Sequence, residues 1–342
     1  MLSRRTTLLS LASLPLGAGP LVASLARAQG APLPISIGTQ ADSHWLTMEA
    51  QKKGLFEKVG LKPNFVKFVA GAPMMAAAQS KSIDVATVGM VPFLSGVGQG
   101  IPWVAIGFHV AGPRGEGIIA RKSSGIRTLA DLKGKRIGYF RASTAHYGLF
   151  MALQKNGIAP SQVTLLSMAP AQQLAAMRAG EIDATSVWEP WMHKLVAEAD
   201  GELISTELDI GVYTAASTLA VRRDWLAANR ETARRLLQGY LLAYDSLMAD
   251  PTPVILQFAE NVGISEQWSR EIFASVPPVE IKKWADPSYD YSLAKGSKIQ
   301  EALAGLAAFL HAEKVVSQPI DVSGLLDDSV IVEVLKASGT SK

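Results

Sequence analysis

The chain has 342 residues, a formal net charge of +3, 48% hydrophobic residues and no cysteine. Without cysteine it cannot form a disulfide bond, a thiolate metal site or a lipid-modified cysteine. The nearly neutral charge gives no indication of a nucleic-acid partner. The length suffices for two domains with sizeable hydrophobic cores.

The first 28 residues have the pattern of an export signal peptide. Arg4 and Arg5 precede an apolar stretch that Pro and Gly interrupt, and the stretch ends at Ala26-Arg27-Ala28. A charged start, a short apolar run and an A-x-A site are typical of export signals, and the arginine pair indicates the twin-arginine type. We therefore expect cleavage after Ala28 and a soluble protein in the periplasm. A membrane anchor is the alternative, but the interrupted run falls short of an apolar span of ~20 residues.

Predicted strands and helices alternate through the next part of the chain. The predicted elements are a strand at PISIGTQ (34–40), a helix at 45–60, a strand at KPNFVKFV (62–69), a helix from 71, a strand at IDVATVG (83–89) and a helix at VPFLSGVGQG (91–100). Alternation of this kind predicts a parallel, twisted sheet with helices on both faces. The fold class is therefore α/β.

The same order of elements recurs in the following hundred residues. The second set comprises a strand at 131–140, a helix at 142–157, a strand at 163–168, a helix from 169, a strand at 182–187 and a helix at 188–199. Pro73, Ile83-Asp84 and Pro92 recur as Pro170, Ile182-Asp183 and Pro190, 97 to 99 residues later. A repeat that keeps its order predicts two similar lobes.

Two segments, at 116–124 and 218–225, join an apolar run to basic residues and read as strands that cross between the lobes. From 224 onward the pattern is mostly helical, and we expect this tail to wrap the first lobe. The predicted organisation is a signal at 1–28, one lobe at 33–118 and 223–342, and the other at 119–222. A cleft between two lobes is where small ligands bind.

The stretch YFRASTAHYGLF (139–150) places polar side chains where a strand meets a helix. A helix N-terminus has unpaired backbone N–H groups and a partial positive charge, so it favours an anion. Ser143 and Thr144 could cap this helix, donate to an oxyanion, or do both. His146 could donate into the cleft or pack the helix against the sheet. Arg141 could bind the ligand bidentately or pair with Glu189.

Four further side chains each have a binding and a structural interpretation. Trp45 and Trp188 could provide flat walls for an organic tail, or simply pack in the core. Asp42 and Glu189 could accept a hydrogen bond from a ligand or hold the lobes together. Ser143 lies in no G-x-S-x-G motif, and the five histidines form no HExxH pattern, so neither nucleophilic catalysis nor a metal site is predicted. No cofactor is expected.

The motifs GKRIGYF, STAHYGLF, ALQKNGI and AGEIDATSVWEPW, between 134 and 191, resemble the nitrate/sulfonate/taurine family of periplasmic solute-binding proteins of ABC transporters. The likeness is greatest to the taurine and aliphatic-sulfonate branch, whose S-T-x-H-Y pattern is matched from Ser143 to Tyr147. The resemblance implies a type II periplasmic binding fold. Two lobes would close on a small anion and then dock on a membrane permease.

The resemblance also implies where the ligand binds, namely on loops after strands and on helix N-termini. Combined with the candidates above, the expected ligand-binding residues are Gln40, Asp42, His44, Trp45, Gly71, Ala72, Met90, Arg141, Ser143, Thr144, His146, Trp188 and Glu189. The chain departs from the taurine branch at two positions. Ser217 stands where an acid usually suits an amine, and Met90 stands in a loop that often carries hydroxyls.

We therefore expect a monomeric binding protein, not an enzyme, that delivers a small organic anion to an ABC importer. A sulfonate is the first expectation. Nitrate, a carboxylate, another small anion or a pyrimidine-like solute are alternatives, as is a sensor subunit that presents its ligand to a membrane partner. Enzymes of this fold rely on a cysteine-rich motif, which this chain lacks.

Overall fold

The computed structural model describes residues 31–40, 45–212 and 216–339. The predicted signal segment therefore lies outside the described residues. The ten strands are β1 (Leu33–Gln40), β2 (Leu61–Phe68), β3 (Val85–Gly89), β4 (Trp103–Ala111), β5 (Glu116–Arg121), β6 (Arg136–Tyr139), β7 (Thr164–Ser167), β8 (Ala184–Trp188), β9 (Gly201–Thr206) and β10 (Ala216–Arg222). In this part of the chain no helix is long and apolar enough to cross a membrane.

The helices follow the strands closely. They are α1 (Trp45–Lys53), α2 (Leu55–Lys58), α3 (Gly71–Gln79), α4 (Met90–Gly98), α5 (Thr144–Lys155), α6 (Pro170–Arg178), α7 (Trp191–Glu198), α8 (Arg223–Ala228), α9 (Arg230–Ala249), α10 (Thr252–Val262), α11 (Glu266–Ser275), α12 (Lys298–Ala312) and α13 (Ser329–Ala337). Short 3₁₀ turns occur at Lys122–Ser124, Leu129–Leu132, Pro160–Gln162 and Ile281–Lys283.

Two five-stranded sheets carry the architecture, and their strand orders are equivalent. The first sheet runs β2-β1-β3-β10-β4 and the second β7-β6-β8-β5-β9. In each sheet the first three strands are parallel, and the strand next to them is antiparallel to both of its neighbours. The α/β two-lobed prediction is confirmed, with one correction: the sheets are mixed, because a strand arriving from the other lobe enters each sheet in the opposite direction.

The lobe boundaries lie earlier in the chain than predicted. All of β5 pairs within the second sheet, and all of β10 pairs within the first. The chain therefore crosses between β4 and β5, and again between β9 and β10, rather than inside the strands themselves. The predicted boundaries at 118/119 and 222/223 divided β5 and assigned β10 to the wrong sheet.

The internal repeat is visible in side-chain contacts as well as in topology. The Asp84 carboxylate accepts a hydrogen bond from the N–H of Ser36 at 2.8 Å, and the Asp183 carboxylate accepts one from the N–H of Arg136 at 2.9 Å. Asp84 thus connects the start of β3 to β1, and Asp183 connects the start of β8 to β6 in the same way. The sequence repeat marks equivalent positions in two copies of one topology.

The hydrophobic cores differ between the lobes. The first sheet and the carboxyl-terminal helices share one large core, in which Trp45, Trp103 and Trp284 are fully buried. The second sheet has a smaller apolar cluster on each face. Helix α9 packs on α1, α2 and α13, so the tail covers the first lobe.

Two helices are shorter than their patterns suggest. The predicted helix at 45–60 breaks into α1 and α2 at Gly54, whose φ of 59° lies in the left-handed region that glycine tolerates. Likewise, Asn229 separates α8 from α9.

Candidate functional site

A cleft of about 870 Å³, partly open to solvent, lies between the two lobes. From the first lobe its walls include Gln40, Trp45, Ala70, Gly71, Gly89, Pro92, Ala216 and Ser217. From the second they include Glu116, Phe140, Ala142, Ser143, Thr144, Trp188 and Glu189. Among the described wall residues none is Lys or Arg, so any positive potential comes from elsewhere.

Three helix N-termini converge on this cleft. A Cβ added to Gly71, at the start of α3, would lie 2.5 Å from Pro92 Cγ in the first turn of α4. One added to Gly89, the N-cap of α4, would lie 3.6 Å from Thr144 Cγ2 at the start of α5. The N-cap residues of α3 and α4 are Ala70 and Gly89, which have no side-chain acceptor to cap a helix. The first-turn N–H groups, other than at Pro73 and Pro92, are therefore left uncapped by these residues, and the three helix dipoles add a positive potential suited to an oxyanion.

Ser143 caps α5 and has both of its hydrogen-bonding roles filled. Its Oγ accepts from the backbone N–H of His146 at 3.1 Å and donates to the carbonyl of Phe140 at 2.7 Å. Thr144 next to it donates to Glu116 Oε1 at 2.5 Å. Both hydroxyls line the cleft, yet both are engaged with the protein itself.

Glu116 is a cleft residue that the sequence analysis did not single out. Burial raises the pKa of its carboxyl to about 7, against the opposing effect of hydrogen bonds from the side chains of Thr144 and Glu207. It begins β5, directly after the first crossing between lobes. An acid at the first position of a predicted crossing strand was the available signal.

His146 does not line the cleft. Its ring lies against Tyr139, Phe150 and Phe309, with ring centroids 4.9, 4.8 and 5.5 Å away. Burial, with a smaller contribution from Arg141, lowers its pKa to about 4. The ring is therefore neutral at physiological pH, and it lies among these aromatic side chains rather than among the described residues of the cleft wall, where it was expected. An aromatic cage completed by the first lobe's α12 draws the ring away from the cleft.

Two further expected ligand residues lie elsewhere. The side chain of Met90 is fully buried in the first core, because α4 turns its apolar face inward. Arg141 is exposed in the turn before α5 and is not among the described residues of the cleft wall. The carboxylate of Glu189, its expected partner, lies 2.8 Å from His193. Ala72 follows Gly71 in the first turn of α3. Asp42 and His44 lie outside the described residues.

Aromatic and aliphatic side chains form the remaining walls. Trp45 is 1% exposed, packs on Phe258 with ring centroids 4.5 Å apart, and donates from Nε1 to the carbonyl of Val276 at 2.9 Å. From the second lobe, Trp188 meets Phe140 edge-on at 6.3 Å. Phe258, Ile272 and Val276 come from α10, α11 and the residue after α11, which the sequence analysis did not connect with the cleft.

A histidine joins the two lobes beside the cleft. His193 Nδ1 lies 2.8 Å from the cleft residue Glu189, and Nε2 lies 3.2 Å from Glu271 of α11 in the first lobe. Burial opposes the charged imidazole, but the two carboxyls outweigh it and raise the pKa of His193. The side chain of Glu189 is thus oriented by a bridge that spans the lobes.

The arrangement favours binding over chemistry. Ser143 contacts backbone groups rather than an imidazole, and His146 is held within the aromatic cage. Within the described ranges, no group of three His, Asp or Glu side chains is placed to hold a metal ion. The cleft offers backbone donors for an anion, aromatic walls for an organic tail and two acids.

Comparison with known proteins supports this description. Residues 34–253 match the NMT1-like family. The chain is 30% identical to the taurine-binding periplasmic protein of Escherichia coli over 62% of its own length and 66% of that protein. The chain spans 58 to 66% of the length of the first curated relatives it matches.

Solved structures show the same fold. The alkanesulfonate-binding protein SsuA from Xanthomonas axonopodis pv. citri, bound to MOPS, superposes with a TM-score of 0.72 and 25% identity, covering 86% of this chain and 98% of that one. The desulfurization enzyme DszB superposes with a TM-score of 0.64 and 16% identity, covering 90% and 99%. The fold therefore serves both binding proteins and an enzyme.

Proposed function

The chain belongs to the NMT1-like family, and from that premise we propose that it is a periplasmic solute-binding protein that captures a small organic anion. A sulfonate is the first candidate, because the relatives named above bind taurine or an alkanesulfonate. The protein would act as a monomer and deliver its ligand to the permease of an ABC importer. Its place in the periplasm is inferred from the named periplasmic relative and the pattern of residues 1–28.

The observation that carries the proposal is the convergence of α3, α4 and α5 on one end of an aromatic-walled cleft. Backbone N–H groups at helix N-termini suit the three oxygens of a sulfonate, and the dipoles supply charge without a lysine or arginine. The walls from Trp45, Trp188 and Phe258 suit an apolar tail. Ser217, also in the wall, leaves the first lobe without the acid that would pair with an amine there.

Binding would close the lobes. The chain crosses between them only twice in the described region, near 112–115 and after β9, and these segments can serve as hinges. A ligand that contacts α3 and α4 on one side and α5 on the other binds the closed form better, so it shifts the population toward closure. No bond in the ligand is made or broken.

A titration calorimetry panel tests the function. It compares alkanesulfonates, taurine, a sulfate ester, nitrate and a carboxylate, with turnover of each measured in parallel. We expect saturable binding of at least one sulfonate and no product. If none of the panel binds, or if a sulfonate is converted without other proteins, the proposal is wrong.

A matched pair of variants at Gly89 tests the place of the anion. The φ of −59° and ψ of 160° at this N-cap suit any residue, and an added Cβ meets only ordinary contacts. Gly89→Asp should cap α4 with its own carboxylate and abolish sulfonate binding while preserving the fold, since aspartate is a favourable N-cap. Gly89→Ala should retain binding. Wild-type affinity in Gly89→Asp would exclude α4 from the site.

A further inference from the structure

We propose that this protein takes up a proton when it binds its anion, and that Glu116 holds this proton and presents a neutral carboxyl group to the ligand. The inference rests on the proposed function, because it requires an anion in the cleft. It assigns a role to an acid that would otherwise oppose binding.

Glu116 lies close to the place where the anion is expected to bind. Its carboxyl lines the cleft where α5 begins, and Oε1 accepts the hydroxyl hydrogen of Thr144 at 2.5 Å. The other oxygen, Oε2, is buried and accepts no hydrogen bond from an N–H or hydroxyl group of the described residues. An anion at the N-terminus of α5 would therefore approach this carboxyl closely. If ionised, Glu116 would repel it; if protonated, it could donate a hydrogen bond.

A second acid, Glu207, lies next to Glu116. The backbone N–H of Glu207 donates to the carbonyl of Glu116 at 3.0 Å, so the two acids are neighbours in the fold. Glu207 is 2% exposed. Ionising both of two neighbouring buried acids costs more than ionising one of them. Glu207 therefore favours a proton on the pair.

The described groups around this pair include a phenol, a second cleft acid, an arginine and a neutral histidine. On α5, burial raises the pKa of the Tyr147 phenol, and the nearby Glu207 raises it further. Glu189, also in the cleft wall, is engaged with His193. Hydrogen bonds from Thr206, with a smaller contribution from Arg114 in the crossing segment, lower the pKa of Asp209. His146 is neutral, because burial lowers its pKa to about 4.

The pKa of Glu116 determines whether anion binding takes up or releases a proton. Burial places the pKa of Glu116 at about 7, so the ligand-free protein is partly ionised there at neutral pH. A bound anion favours the protonated form and raises this pKa further, so binding draws a proton from solution. Affinity should then fall as pH rises above 7, approaching tenfold per pH unit. A ligand whose ammonium group paired with Glu116 would instead release a proton.

Calorimetry of a simple alkanesulfonate, which has no amine and does not titrate, measures the proton directly. Binding of pentanesulfonate is measured at pH 7.5 in phosphate and in Tris, whose ionisation enthalpies differ, and the dependence of the observed enthalpy on buffer yields the number of protons. We expect uptake of about half to one proton. A count of zero, or release, overturns the inference while leaving the function intact. Absence of any sulfonate binding would instead overturn the function.

Variants assign the proton to a residue. Glu116→Gln imitates the protonated acid permanently, so its affinity should lose the pH dependence and exceed that of the wild type at pH 8.5 by about tenfold. Glu301→Gln, which changes an exposed acid on α12, should keep the wild-type pH profile. If Glu116→Gln retains the wild-type slope, another group carries the proton. The wild-type proton count stands as a test even if this variant does not fold.

Discussion

The hydroxyl of Ser143 has both of its hydrogen-bonding roles filled by backbone groups, so it organises the start of α5 more than it offers itself to a ligand. At this scale the sequence predicted the cap and the cleft positions of Ser143 and Thr144 from local pattern alone. It could not predict the place of His146, because Phe309, which completes the cage around that ring, lies far along the chain. Glu116 was missed for a similar reason, since its partner Glu207 enters from the second crossing.

The caged histidine makes stability depend on pH. Because its pKa is about 4 in the folded protein and 6.5 when exposed, unfolding binds a proton below pH 6.5, and stability is lost as pH falls from 6.5 towards 4. This site should contribute a loss of about 2–3 kcal/mol between pH 7 and pH 4.5. Urea unfolding at both pH values should show a correspondingly smaller loss for His146→Phe. An equal loss in both proteins would mean that the ring is not buried in its neutral form.

The close contact between the N-termini of α3 and α4 depends on where the two helices lie on the first sheet. The alternation of patterns predicted the three parallel strands of each sheet and the helices between them. It left β4 and β9 unassigned, because the apolar run Trp103–Ala111 directly follows a helix and periodicity alone does not distinguish a buried strand from a buried helix. The sequence pattern could not predict the contact between α3 and α4 either, because this contact depends on how both helices pack on the sheet.

Gly71→Ala tests this packing. An added Cβ would lie 2.5 and 2.7 Å from Pro92 Cγ and Cβ, so the two N-termini must separate. We expect the free energy of unfolding to fall by about 1–3 kcal/mol and sulfonate affinity to weaken, as measured by urea unfolding and calorimetry.

The matched control is Gly305→Ala in the middle of α12. There an added Cβ meets only Tyr147 Oη, at 3.9 Å. Helix propensity should raise stability by about 0.5–1 kcal/mol. Equal behaviour of the two variants would show that α3 and α4 are not in tight contact.

Across the whole molecule, the lobes meet through more than the two crossings. The first lobe's Phe309 packs on His146 and Tyr147, and the bridge from Glu189 through His193 to Glu271 joins α11 to the second lobe. The repeat and the crossing pattern predicted two lobes and a cleft. The bridging contacts depend on the relative position of segments that no sequence pattern links.

The His193 bridge should help to hold the lobes closed. Because the pKa of His193 is raised above 6.5, its ion pairs are fully formed below that pH and are lost as pH rises through the folded pKa. Glu271→Gln should therefore weaken sulfonate binding about two- to fivefold at pH 6, as expected for a partly exposed pair, and have little effect at pH 8.5. Each affinity is compared with the wild type at the same pH. Glu266→Gln, on the same helix but paired with Arg270, serves as the control. A loss of affinity in Glu271→Gln that is the same at both pH values would argue against a charged bridge.

The strand order also has a consequence for how the chain acquires its structure. All strands of the second sheet come from one continuous stretch, Glu116 to Thr206, whereas the first sheet holds β10 between β3 and β4. The second lobe can therefore assemble from one continuous part of the chain. The first lobe is complete only when β10, more than a hundred positions after β3, pairs with β3 and β4, which requires the closure of a long loop. The lobe that comes second along the chain is expected to fold first, and the amino-terminal lobe to complete itself around the returning strand.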